Sequence, residues 1–326
     1  MHPAFSVIFL TTLIGVGQGL FLALYTGQVY ALANLLPTQD AQSFYGIGSG
    51  VALLFLVGGL AASFFHLGRP ERAWRAAACW RTSWLSREVI ILPAVMGLVF
   101  LYGLIHWMGW TTPWFTVAGH LPVDASLVVG LLATIATFLL FVSTAMIYAS
   151  LKFLQEWHSP LTVFNFTLFG GASGFTLAAA FSAWEGTELV IFYGTWAVIL
   201  TLAAAVTRGW SLLRNRKLRP KSTPQSAIGV RHNKVTQLAQ GAMGGSFNTR
   251  EFFHHKTRLM IRAIRYGFLL LVFPVPVVLL GAAYATSSEV LPLLAFAAQY
   301  AGLLAERWYF FAEANHPQNI YYQAVA

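Results

Sequence analysis

A histidine and a glutamate lie at the facing ends of two apolar runs, and their types suit proton exchange with a redox-active ligand. The stretch reads Ser63-Phe64-Phe65-His66-Leu67-Gly68-Arg69-Pro70-Glu71-Arg72-Ala73-Trp74-Arg75, then Trp80-Arg81-Thr82-Ser83-Trp84-Leu85-Ser86-Arg87-Glu88-Val89. An imidazole titrates near neutral pH, and a carboxyl group can pass protons to and from water. Quinone reduction or oxidation moves two protons with two electrons, so the head group needs such a donor and such a relay. His66 can bond a quinone oxygen while Glu88 exchanges its proton with the aqueous side. A structural reading stands beside this one: His66 as an interfacial cap, Glu88 as a dipole-matched residue, the arginines as topology determinants.

The elements that position this pair must be membrane helices. The chain is 57% hydrophobic and only 10% charged, against roughly 25% charged in a soluble domain. In hydrocarbon every backbone polar group must be paired internally, which an α-helix of about 20 apolar residues achieves. Eight stretches qualify, at about 5–36, 43–66, 87–108, 124–150, 160–182, 188–207, 260–283 and 290–312. The expected fold is therefore all-α, a polytopic bundle of eight transmembrane helices forming a single membrane domain over 1–326. The first run is too long for a signal peptide and lacks a basic flank, so it counts as a span. Gly68 and Pro70 are expected to end the second helix just after His66, and Ser86 to cap the third, with Glu88 in its first turn. His66 and Glu88 would then lie at similar depth.

Charge sets the orientation. All 20 Lys and Arg residues fall at one side when loops are assigned alternately. They include Arg69, Arg72, Arg75, Arg81 and Arg87 between spans two and three, Lys152, and the long run from Arg208 to Arg258. Arg262, Arg265 and Arg307 are placed at helix ends on that side. The opposite loops carry Asp40, Asp124, Glu185, Glu188 and Glu289 instead. By the positive-inside rule both termini and the 208–258 segment are cytoplasmic. That segment is unusually long for a connection and reads as a docking loop for lipid headgroups or an acidic protein, the aromatics Phe252 and Phe253 favouring a protein. Nucleic acid is an improbable partner beside eight spans.

Other chemistry has little foothold. The single cysteine, Cys79, cannot build an iron–sulfur cluster, a disulfide or a zinc site, so any metal carrier belongs to a partner. The nine histidines fall at helix ends, loops or termini, where a bis-histidine haem would need them inside facing spans. No intramembrane acidic relay of a proton-coupled transporter stands out. The glycines Gly15, Gly17, Gly19, Gly170, Gly171 and Gly174 read as close helix packing, while Gln18 is open between cross-helix hydrogen bonding and binding.

On the opening Met1-His2-Pro3-Ala4-Phe5-Ser6-Val7-Ile8-Phe9, the His66-Leu67-Gly68 turn and Glu88, the chain resembles the membrane anchor subunit of the dimethyl sulfoxide reductase family over essentially its full length. The resemblance implies eight helices, no haem, and a quinone site, for ubiquinone or menaquinone, next to an iron–sulfur electron-transfer subunit that is itself bound to a molybdopterin catalytic subunit. It assigns His66 and Glu88 to the quinone reaction, with Gly68 shaping the turn and Arg72 associated; Gln18, Arg69 and Tyr148 are added on depth. Dimethyl sulfoxide reductases of this class place their catalytic subunits outside the cytoplasmic membrane, whereas here the quinone-site end is the basic, cytoplasmic one. The chain therefore looks closer to the branch anchoring a cytoplasmic sulfite dehydrogenase in a bacterial inner membrane. An S-oxide reductase anchor that oxidises menaquinol, or a passive anchor or transporter, is the alternative.

Overall fold

The computed structural model describes residues 4–117, 121–186, 188–236, 238, 252–253, 256–317 and 320. The opening residues Met1 to Pro3, the histidines His120, His254 and His255, and the Phe247 to Glu251 stretch of the expected docking loop lie outside them. The chain runs α1 (Phe5–Leu32), α2 (Ile47–Phe64), α3 (Trp84–Trp107), α4 (Ala125–Ala149), α5 (Pro160–Trp184), α6 (Val190–Arg216), α7 (Pro224–Ile228), α8 (Arg258–Val272), α9 (Pro274–Thr286) and α10 (Val290–Ala312). A π-helical turn, Ala41–Gly46, leads into α2, and a 3-10 segment, Pro70–Cys79, bridges to α3. Between α3 and α4 a small antiparallel hairpin pairs Phe115–Val117 with Leu121–Val123.

Among the described residues, seven helical segments are long and apolar enough to cross a membrane: α1, Ala41–Phe64, α3, α4, α5, α6 and Arg258–Thr286. The expected eighth, α10, has the length at 23 residues, but Gln299, Glu306 and Arg307 lower its mean hydropathy. It nevertheless packs into the bundle against α1, α5, α8 and α9.

Helix α5 is the hub, buried almost without interruption from Phe169 to Ala183 and packed on α1, α4, α6 and α10. Its small residues allow this. A Cβ on Gly174 would run into the backbone of Gly19 and Leu20, and one on Gly19 into the backbone of Gly170. Helices α1 and α5 thus meet backbone to backbone, the arrangement that small residues permit in lipid, where packing rather than water exclusion holds helices together.

Boundaries moved where a local signal was misjudged. Helix α2 ends at Phe64, before His66 rather than after it, as Phe65 N–H turns back to Ala62 O at 3.2 Å. Gly68 has open space around it and no left-handed backbone, so it does not act as the stop. The cap of α3 is Ser83, whose hydroxyl accepts from Ser86 N at 3.4 Å; Ser86 itself is inside the helix. Glu88 consequently lies beyond the first turn. Residues 208–216 of the expected docking loop continue α6, held there by Arg208 and Arg214. The seventh run breaks at Phe273, because Pro274 supplies no N–H and its ring would clash with the Leu270 carbonyl in a continuous helix.

Candidate functional site

Helices α3 and α4 run antiparallel, so the start of α3 and the end of α4 share the basic end of the bundle. There Glu88 is 6% exposed, and Thr144 Oγ1 donates to its Oε1 at 2.6 Å. Tyr148 follows Thr144 by one helical turn and shares its face of α4. Its ring packs among Trp157, Phe166, Phe310 and Phe311, with centroids 5.1–5.9 Å away. Glu88, Thr144 and Tyr148 therefore form one group, a carboxyl and a phenol on an aromatic floor.

Gln18 is buried and anchored, donating from Nε2 to Thr137 O at 3.1 Å. Thr137 precedes Thr144 by two turns, roughly 10 Å along the axis, so Gln18 acts as a cross-helix tie below that group.

His66, Gly68, Arg69 and Arg72 lie elsewhere, in the exposed connection from α2 to α3. No hydrogen bond joins His66 to Glu88. Partial desolvation of the turn holds the His66 imidazole below its ordinary value, so the ring is neutral at pH 7 and has one donor and one acceptor nitrogen. Arg72 Nε lies 3.8 Å from Glu71 Oε1, with both side chains largely in solvent. Arg87 fastens the connection to α3, donating to Trp80 O at 3.0 Å and Arg81 O at 2.8 Å while its guanidinium lies 4.1 Å from the Trp84 ring centre. Phe65, Trp74 and Trp80 are exposed beside these arginines, giving a surface both apolar and cationic.

Two buried polar groups went unseen in the sequence. The first joins α6 to α10. Arg208 Nε meets Glu306 Oε1 at 2.8 Å, Arg307 Nε meets Glu306 Oε2 at 3.2 Å, and Arg208 reaches Glu313 at 3.8 Å. Arg208, Glu306 and Arg307 are at most 3% exposed, and the Arg307 guanidinium lies 3.9 Å from the Phe166 ring centre. Arg307 is thus a core residue rather than a helix-end topology charge, and the bundle does contain acids within its helices. The second group is at the opposite end, where Tyr102 donates to Gln28 (2.8 Å), Gln28 to Ser126 (2.6 Å) and Ser126 to Asp124 (2.7 Å). His106 packs there at an angle to Tyr45 and edge-on to Tyr102, 3% exposed, its ring nitrogens unpartnered among the described residues. In the sequence the cues to these groups were the Glu306-Arg307 adjacency, a late-span Gln28 and Asp124 at the start of a span.

Against known proteins, the family profile described as DMSO reductase anchor subunit (DmsC) matches residues 1–311. A sulfite dehydrogenase subunit of Allochromatium vinosum is 64% identical over 326 residues, covering 100% of both chains.

Proposed function

The chain belongs to the DMSO reductase anchor-subunit family, and from that premise we propose that it is the quinone-reactive anchor of a sulfite dehydrogenase. In this reading eight helices cross the bacterial cytoplasmic membrane, α10 included, with both termini and the α6–α8 segment in the cytoplasm. A molybdopterin subunit oxidises sulfite to sulfate, the two electrons pass through an iron–sulfur subunit, and ubiquinone or menaquinone receives them here. The full-length identity to a sulfite dehydrogenase subunit supports the substrate, and the one-sided distribution of Lys and Arg supports the orientation.

The observation that carries the quinone assignment is Glu88, an acid buried in a membrane helix and held by Thr144 at the end where the arginines gather. Ionisable residues within spans are functional sites by default because their burial is unfavourable. Quinone reduction takes up two electrons and two protons. Neutral His66 donates a hydrogen bond to one carbonyl oxygen, orients the ring, and on reduction passes that proton to the oxygen while its other ring nitrogen takes one from the cytoplasm. Glu88 delivers the second proton to the other oxygen and recovers one from the cytoplasm. Gly68, Arg69 and Arg72 shape the approach, and Tyr148 and Gln18 line the deeper side. Exposed Phe65, Trp74 and Trp80 among the arginines favour contact with the iron–sulfur subunit at this end.

His66→Gln keeps a donor and an acceptor but removes the imidazole. Sulfite-dependent quinone reduction should fall at least tenfold while sulfite oxidation with a soluble acceptor is retained. Unchanged quinone turnover in an assembled complex would instead favour a passive anchor. Sidedness has its own test: protease added to sealed inside-out vesicles should cut between α6 and α8, and protection there would reverse the orientation.

A further inference from the structure

An open cavity of about 490 Å3 lies where the α4–α5 turn, the last turn of α6 and the residues after α10 converge. Phe153, Asn215, Arg219, Lys221, His316 and Ile320 are among its walls. Its level is set by Ala149, the last residue of α4, and by Asn215 in the last turn of α6. With α4 and α6 taken as spans, that is the level at which they would pass from hydrocarbon into headgroups. Arg214 braces the structure, donating to Gln155 O at 3.0 Å and His158 O at 3.1 Å and so tying α6 to the α4–α5 turn. The side chains of Arg219 and Lys221 are exposed and pair with no acid among the described residues. Glu156 is the one carboxylate among the described residues of the wall, and its Oε2 accepts from Asn315 N at 3.2 Å. The cavity is therefore cationic, with two fixed positive charges against one negative. Phe153, 50% exposed and following Lys152, gives its rim an apolar edge.

We propose that this cavity binds the phosphate headgroup of an anionic phospholipid, with Arg219 and Lys221 as the phosphate ligands and the Phe153 rim facing the acyl chains. Basic pockets at span ends suit such headgroups, because charge attraction and apolar contact are both satisfied at one depth. A free phosphate would use only the cations. An acidic protein segment would leave the apolar rim at membrane level unused. The inference does not depend on the quinone assignment.

Native mass spectrometry of the whole complex, titrated with phosphatidylglycerol in a phosphatidylethanolamine background, tests it. The pair Arg219→Gln with Lys221→Gln should weaken phosphatidylglycerol retention roughly thirtyfold. The pair Arg231→Gln with Lys234→Gln, which removes the same charge from the same segment outside the cavity, should change it less than threefold. Equal weakening by both pairs would reduce the effect to overall charge and overturn the site. Displacement of the lipid by millimolar inorganic phosphate would identify a plain anion site instead. Loss of a partner subunit with lipid retention unchanged would make the occupant an acidic protein. Each of these three results refutes the lipid assignment.

Discussion

Glu88→Gln should lower sulfite-dependent quinone reduction by about a hundredfold or more while leaving the assembled complex able to oxidise sulfite with a soluble acceptor. Glutamine has nearly the shape of glutamate and keeps a carbonyl oxygen for Thr144 Oγ1, which donates at 2.6 Å. The packing role of the side chain therefore survives and only the exchangeable proton is lost. Positioned acid–base groups are typically worth 10²–10⁴ in rate, which sets the expected size. Thr144→Val is the companion variant. It removes the bond that holds the carboxyl but leaves the proton in place, so its loss should be smaller, within about tenfold. If Glu88 only matched a helix dipole or filled the core, Glu88→Gln and Thr144→Val would affect stability and leave the ratio of quinone to soluble-acceptor turnover near one. Normal quinone turnover in Glu88→Gln would remove the carboxyl from the reaction.

What could be read from the sequence was the part encoded locally. The hydrophobic runs mark the helices because each must pair its own backbone, and both ends of α4 and α5 fell within a few residues of expectation. Glu88 was recognisable by type and by its place beside a basic turn, but its depth was not. Two serines three residues apart both satisfy the N-cap pattern, and the choice of Ser83 over Ser86 moves Glu88 out of the first turn into the interior. The break between α8 and α9 was written in Pro274 and Pro276 yet hidden by the continuous apolar run around them. Arg208 and Arg307 were beyond local reading. Each looks like a cation ending a span; Arg307 adjoins Glu306 in the chain, but only the approach of α6 to α10 across a separation of about 100 residues brings Arg208 to it. His66 is the converse case: the sequence placed it beside Glu88, and the structure leaves it in an exposed turn with no bond to it.

The largest stability effect is expected at Glu306. Arg208, Arg307, Glu306 and Glu313 sum to zero charge, and three of the four are nearly sealed from solvent. Glu306→Gln leaves two cations facing Glu313 alone, and an uncompensated buried charge destabilises by about 3–5 kcal/mol. Thermal unfolding of the detergent-solubilised protein should register that as a clear drop in midpoint. The double variant Glu306→Gln with Arg307→Met should recover more than half of it. It leaves Arg208 beside Glu313, which already lie 3.8 Å apart, as a neutral pair, and the methionine still fills the space over the Phe166 ring that the guanidinium occupies. Methionine also makes favourable contacts with aromatic rings. Recovery separates charge balance from mere loss of contacts, because a second deletion that only removed contacts would add to the first. Should Glu306→Gln fail to accumulate in the membrane, restored accumulation of the double variant carries the same information. A single variant within about 1 kcal/mol of the parent, or a double variant worse than either single, would mean that the four charges are solvated independently and do not lock α6 to α10.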